Sequence, residues 1–486
     1  MKRAARPALF ALACAAAGCS GDDEARVQIE LEVPSDDAGG SLLGDLDALE
    51  FRVSDGQDFR ASQLYRLSDG LPDELSLSDV PTGDDILFHL SGFASNAEVA
   101  YGRTCRIAVA KGDEPIGPLR LYFSRVGSFR TGAAPLEPER SYGLMFSDDR
   151  GRAVLAGGAG TLVELFDPRI GTFDEAGEVA VTRIGGAVAV RDDGSAVIAG
   201  GVDEDGALIG LVEEIVSDSE GEPVRQLADQ VEAEKAGLAL VALPDRSILL
   251  SGGRSPAGFI TGDLLVIDAG DDQFRPSGTL AIERERHTAS VGLGGVVYLI
   301  GGLTHDEVGG GDVATGTIEL YRPKDRSVRT LEGAELMVPR FGHTATVLAD
   351  GRILLVGGLK PSLTACETPP CYDAVAEVEV FDPIVGESRT VDEIPGGVHD
   401  HTATAIAGGR VLITGGSDSE GALRSDAYLF DPEVEALVPT RSLGQPRAEH
   451  TATELCDGTV LLVGGVSEDG TPQPAERYNP ASRAIP

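Results

Sequence analysis

Histidine is the side chain best placed for acid–base or metal chemistry near neutral pH, and most of the seven histidines here follow a pattern. His287, His343, His401 and His450 each stand 14 residues before the first glycine of a Gly-Gly pair. Gly143, Gly186 and Leu238 hold the same slot before three earlier pairs. A slot shared by His, Gly and Leu at fixed spacing reads as scaffold, not chemistry. His399-Asp400-His401 has the composition of a metal or catalytic trio, yet His401 fills the repeated slot and His399 is left with no identified partner. His89, inside the apolar run Ile86-Leu87-Phe88-His89-Leu90, reads as a satisfied core histidine.

The other candidates weigh against catalysis. Cys366 and Cys371 frame Glu-Thr-Pro-Pro, a loop that a disulfide would staple; four intervening residues without a second Cys or His pair are not zinc spacing. Cys105 and Cys456 either pair with each other or stay free. The turns Asp203-Glu204-Asp205-Gly206 and Asp418-Ser419-Glu420-Gly421 lack the ligand set of a calcium loop and read as hairpin turns. A Gly-x-Ser-x-Gly elbow, a phosphate-binding loop and a His-Glu-x-x-His helix are absent. The expectation is a non-catalytic protein with no catalytic residues, no metal and no cofactor.

The elements that would position any site follow from the Gly-Gly pairs. They are Gly157-Gly158, Gly200-Gly201, Gly252-Gly253, Gly301-Gly302, Gly357-Gly358, Gly415-Gly416 and Gly464-Gly465, spaced 43 to 58 residues apart. A period near 50 with short strands inside each unit points to a radial or stacked repeat. One unit shows the grammar. His343 to Leu348 predicts a first strand, Asp350-Gly351 a tight turn, Ile353 to Val356 a second strand ending at the pair, and Glu377 to Pro383 a third strand. A fourth is expected at Glu387 to Val391. Three residues before the histidine slot stand Arg140, Arg183, Arg284, Arg340 and Arg447, with Lys235 and Val398 as exceptions.

The unit Arg-x-Gly-His-Thr-Ala, Asp-Gly, apolar run, Gly-Gly, Phe-Asp-Pro resembles the kelch repeat across about three quarters of the chain. That resemblance implies a β-propeller of four-stranded blades. The family's usual Trp is missing, since the chain has none. The last unit runs out after three strands, so residues 126–131 are expected to supply its fourth strand and close a seven-bladed ring. Enzymes resembling galactose oxidase occur among such propellers. Likeness to them would imply a cross-linked Tyr and Cys, a second Tyr and paired histidines, and none of the nine tyrosines sits in such a constellation.

Residues 27–121 lack the period and alternate polar with apolar, as in Val27-Gln28-Ile29-Glu30-Leu31, which predicts a β-sandwich of immunoglobulin or transthyretin type. The whole reads as all-β: a sandwich followed by a propeller over 122–486. Residues 1–19 read as an export signal. Ala16-Ala17-Gly18-Cys19 resembles a bacterial lipobox, which implies lipidation at Cys19 and a polar tether over 20–26; otherwise the protein is secreted. The formal charge of -39 repels nucleic acid and anionic lipid, so membrane contact is expected through the anchor alone.

Between the Gly-Gly pair and the third strand, units 4 and 5 carry about 14 and 18 residues, longer than the rest. His305, Asp306, Glu307 and Asp312 in one loop, and Tyr372 and Asp373 in the other, are the expected contact surface. The function expected is a monomeric binding or scaffold module for a protein or polysaccharide at the cell envelope. The alternatives are a carbohydrate-active or oxidase-type enzyme and a purely structural envelope component.

Overall fold

The structure is a computed structural model and describes residues 8–14, 27–34, 42–55, 58–68, 77, 80–110, 116–136, 140–217, 223–227, 233–306, 310–362, 371–468, 471 and 473–480. Among these, seven four-stranded antiparallel sheets follow one another, each holding one Gly-Gly unit; they are called blades 1 to 7. Blade 5 comprises Thr344–Val347, Ile353–Val356, Glu377–Asp382 and Glu387–Glu393, close to the expected bounds.

The second strands read as unbroken apolar runs because both their faces are covered. All four residues of Ile353–Val356 are buried. Side chains alternate between neighbours: Leu354 and Val356 pack with Val411, Ile413 and Phe430 of blade 6, while Ile353 and Leu355 pack with Ile300, Ile318 and Leu320 of blade 4. Each core is thus shared between adjacent blades. Burial of one such side chain contributes about 1.5–3 kcal/mol.

The Gly-Gly pairs allow the blades to touch through backbone. The second glycine of every pair donates its N–H to the carbonyl of the residue in the arginine slot of the next blade, from Gly158 to Arg183 (2.7 Å) round to Gly465 and Arg140 (2.7 Å). Gly464 has φ +71°, and a Cβ there would lie 2.1 Å from the Arg140 carbonyl oxygen. Only glycine fits. As expected from residues 126–131, Ser128–Thr131 pairs with Glu476–Asn479 as the fourth strand of blade 7.

Ahead of the blades lie two sheets around one core. Ala8–Cys14, Val27–Val33 and Ile116–Tyr122 form one; Ala48–Ser54, Phe59–Arg66, Gly83–Ala94, Ala97–Arg103 and Ser124–Arg125 form the spine of the other. Ile29, Leu31, Phe51, Phe88 and Leu121 share the buried cluster between them. Within the expected export signal, Ala8–Cys14 pairs antiparallel with Val27–Val33; Cys19 lies outside the described residues. His89 is the core histidine expected, with its ring nitrogens 2.8 Å from Ser54 Oγ and 2.7 Å from the Tyr101 hydroxyl. Among the described residues no helix is long and apolar enough to cross a membrane.

This sandwich is fastened to the propeller. Cys105 and Cys456 form a disulfide, with Cα atoms 4.9 Å apart, which settles the pairing left open above. Asn479 Nδ2 donates to the Tyr101 and Ser124 carbonyls at 2.7 and 3.0 Å, and the Arg477 guanidinium lies 3.8 Å from the centre of the Tyr122 ring. Cys456 sits in the turn between the first two strands of blade 7, at the end of the blade away from its Gly-Gly pair. The sandwich therefore occupies the face opposite the long loops.

Candidate functional site

The residues with the most tempting chemistry hold the ring together. Each slot histidine points its Nε2 at a hydroxyl of the preceding blade: His287 at Ser251 (2.8 Å), His343 at Thr288 (3.2 Å), His401 at Thr344 (3.0 Å), and His450 at Thr402 and Thr414 (3.1 and 3.0 Å). Burial keeps these rings neutral, with His343 and His450 pushed down to about 3 and His401 to about 4.

The arginine slot has a partner that sequence inspection missed. Arg284 Nη1 donates to the Gly301 carbonyl (2.8 Å) and Nη2 to Glu319 (2.6 Å), and Glu319 also accepts the backbone N–H of Ala281 (2.8 Å). Glu164, Glu213, Glu379 and Glu476 do the same for Arg140, Arg183, Arg340 and Arg447. Where Lys235 and Val398 replace the arginine, Leu265 and Tyr428 replace the glutamate at the same register. An acidic residue inside an apolar third strand, as in Ile318-Glu319-Leu320, was the available signal.

The two long loops both fold into hairpins. Leu303–Asp306 pairs with Gly311–Ala314, and Leu359–Pro361 with Tyr372–Ala374. His305 Nδ1 lies 3.2 Å from Asp312 Oδ1, Asp306 stands opposite Gly311 at the hairpin tip, and Asp373 stands opposite Lys360. Glu307 lies outside the described residues, as does Cys366; Cys371 is disulfide-bonded. Arg254 of blade 3 donates to Asp312 and Glu285, both at 2.6 Å. Burial pushes the Asp312 carboxyl up, but its bonds to Arg254 and His305 outweigh that and hold it below the usual range. Tyr372 meets Phe341 in a T-shaped contact (4.9 Å), and the Arg286 guanidinium lies 4.9 Å from the Phe341 ring centre. Of the expected residues, His305 and Asp312 are thus tied to Arg254, and Tyr372 packs on the Phe341 ring that Arg286 also meets.

Arg286 belongs to a feature that sequence reading missed. The residue just before each histidine slot is Tyr142, Gly185, Gly237, Arg286, Gly342, Asp400 or Glu449, and all seven have positive φ, between 50° and 65°. They line up around the axis: Arg286 N–H donates to Gly237 O (2.7 Å), Gly342 to Arg286 (2.8 Å), Glu449 to Asp400 (2.9 Å) and Tyr142 to Glu449 (2.9 Å). Glycine is the natural occupant of this conformation, and other residues cost about 1–2 kcal/mol each there. Four positions nonetheless carry large polar side chains. The signal was a repeat column with glycine in three units and four unlike residues elsewhere.

Three of the four, Tyr142, Asp400 and Glu449, line a pocket of about 220 Å³ together with Leu144, His401, His450 and neighbouring glycines. His399, without a partner in the sequence reading, bonds Asp400 through Nδ1 (2.7 Å). Burial raises the Asp400 pKa, but that bond and the nearby His399 and Arg286 charges outweigh it and hold the carboxyl low. Burial pushes Glu449 up, and Asp400 adds to that; Glu449 hydrogen-bonds the Tyr142 hydroxyl, whose own pKa is raised by burial and by both carboxylates.

Comparison with known proteins bears on this geometry. A fungal alcohol oxidase of the AA5 family, solved in complex with copper, superposes with a TM-score of 0.54 over 74% of this chain and 78% of its own, at 14% identity. The fold is a kelch-like, galactose-oxidase-like propeller. YjhT matches 61% of this chain and 94% of its own at 13% identity, with a TM-score of 0.46. In sequence, adagio-like protein 2 of Oryza sativa subsp. japonica is 27% identical over 215 residues, 41% of this chain and 33% of the relative. The match thus spans about a third of that relative's length. No protein-family model matches the chain.

The copper centre of such oxidases does not fit the residues of this propeller. His401 and His450 already bond threonine hydroxyls through Nε2, and Cys371 and Cys456, the described cysteines of the propeller, are in disulfides, leaving no described propeller cysteine to cross-link a tyrosine. Among the described residues no group of three or more His, Cys, Asp or Glu could hold a metal ion.

Proposed function

We propose that this chain is an exported, non-catalytic binding module that engages a protein or polysaccharide through the propeller face bearing the axial pocket and the paired hairpins. The observation carrying this reading is the division of faces. The sandwich is fastened by Cys105–Cys456 to the opposite side, so the polar ring and the hairpins stay open. Disulfides persist in oxidising compartments, which supports export; lipidation at Cys19 would then tether the sandwich and turn the open face away from the membrane. In this reading the protein acts as a monomer at the cell envelope.

Shortening residues 304–316 and 360–376 to tight turns tests the reading. Cross-linked partner capture from the native envelope should be lost while the thermal melt stays cooperative. Capture that persists with both hairpins removed would show that another face binds.

A further inference from the structure

Resting on the export part of that reading, we infer a second docking site, on the sandwich: once the export signal is removed, the edge of Val27–Val33 takes an extended strand from a partner protein. In the uncleaved chain the signal itself fills that edge. Ala8–Cys14 pairs antiparallel along all of Val27–Val33, from Ala8 opposite Val33 to Cys14 opposite Val27. The sheet has the order Ala8–Cys14, Val27–Val33, Ile116–Tyr122. Cleavage before Cys19 therefore removes an outer strand and leaves Val27–Val33 with one neighbour.

The vacated edge keeps what pairing needs. The Glu32 carbonyl accepts the Phe123 N–H (2.9 Å), on the side of Ile116–Tyr122. Backbone groups alternate sides along a strand, so those of Ile29, Leu31 and Val33 point towards the signal. The strand holds no Pro, and its one register irregularity, between Val27 and Ile29, is on the Ile116–Tyr122 side. Neither device that blunts natural edges interrupts the free side. Two strands alone make a marginal sheet, and Ile29 and Leu31 belong to the sandwich core. A third strand restores the lost pairing by β-augmentation.

The side chains say what that strand must carry. Ile29 and Leu31, on the core face, stand opposite Leu12 and Phe10 of the signal, and Glu30, on the outer face, stands opposite Ala11. Arg120, beside Glu30 on the other flank, bonds Glu32 (2.7 Å) and the Ile170 carbonyl instead. Glu30 is left without an ion pair among the described residues. The fitting strand is thus apolar opposite Ile29 and Leu31 and basic opposite Glu30. A second copy is a poor occupant, because pairing about the centre of the same strand sets Glu30 against Glu30.

The test uses the full chain with a specific protease site in place of residues 20–25, folded first, then cut and freed of the signal by gel filtration. The probe is a labelled, serine-flanked peptide Ala-Leu-Phe-Ala-Leu-Ala, the sequence of residues 8–13. By fluorescence anisotropy the cut chain should bind it saturably below about 1 mM, and the uncut chain about tenfold or more weaker. N-methylation at the Phe10 and Leu12 positions, which face Leu31 and Ile29 in the ladder, should abolish binding; at the Leu9 and Ala11 positions it should not. Lysine at the Ala11 position should tighten binding by up to about fivefold, and Glu30→Gln should remove that gain alone. Equal binding before and after cutting, equal loss from both methylation patterns, or no saturable binding by the cut chain overturns the edge assignment. If cutting abolishes the cooperative melt, its recovery on adding the peptide supports the assignment and its absence overturns it. The mass of the exported protein reads the export step separately: residues 1–19 retained would mean that the edge is never vacated, even where the cut chain binds.

Discussion

Glu319 receives the guanidinium of Arg284 at 2.6 Å with both side chains fully buried, and it holds a backbone N–H of the strand link from blade 3 on its other oxygen. One glutamate therefore joins three parts of the ring. The pair occurs in five blades, and the two blades without the arginine also lack the glutamate. Removing one partner leaves a buried charge uncompensated, whereas replacing both need not.

Accordingly, Glu319→Leu should destabilise the protein by about 3–5 kcal/mol. Arg284→Val combined with Glu319→Tyr, the residues blade 6 uses, should cost clearly less than the sum of the single changes. Urea denaturation midpoints of the four proteins decide this. Additive losses would mean the two side chains act independently.

Stability should also depend on pH through the slot histidines. In the folded protein His343 and His450 titrate near 3 and His401 near 4 because they are buried, against about 6.5 in an unfolded chain. Between those values the unfolded chain binds more protons, so stability is complete above about 6.5 and falls as pH drops towards 4. Each ring contributes up to about 1.4 kcal/mol per pH unit. His343→Leu, which copies Leu238 of blade 3, should give a shallower fall of the melting temperature with pH. A slope identical to the parent would count against the histidines.

Closure of the ring rests on Phe129 and Tyr478, which face each other across the pairing of residues 128–131 with 476–479, their rings 4.9 Å apart. Phe129→Ala should cost about 3–5 kcal/mol. Deleting residues 126–131 should give a protease-sensitive, aggregating product, because it leaves the edge of Glu476–Asn479 unpaired. An unchanged melt after deletion would mean the ring closes by other contacts.

The Cys105–Cys456 bond spans 351 residues of sequence. Replacing both cysteines by serine should lower stability by about 2–4 kcal/mol and speed proteolytic release of the sandwich. Limited proteolysis followed by mass measurement checks this; an unchanged cleavage rate would make the Asn479 and Arg477 contacts sufficient on their own.

The repeat was legible because its causes are local. Asp350-Gly351 sets a turn, Ile353 to Val356 must be covered on both faces, and Gly357-Gly358 must admit a neighbouring backbone, so each feature appears in the sequence of every blade. The scaffold role of His343 followed from the same spacing. The two long loops were legible as loop length, although their pairing into hairpins, and the contacts of Asp312 with Arg254 and of Tyr372 with Phe341, were not. The glutamates were visible one at a time, but their purpose depends on an arginine 24 to 39 residues earlier.

Tyr142, Arg286, Asp400 and Glu449 lie far apart in the chain and share no motif. They meet because seven equivalent turns close on one axis, and only closure brings Tyr142 of the first blade within hydrogen-bonding reach of Glu449 in the last. The pairing of Cys105 with Cys456 has the same origin. Local preferences of the chain determine a blade and its repetition; which side chains face one another across the ring is a non-local property, settled by packing and closure.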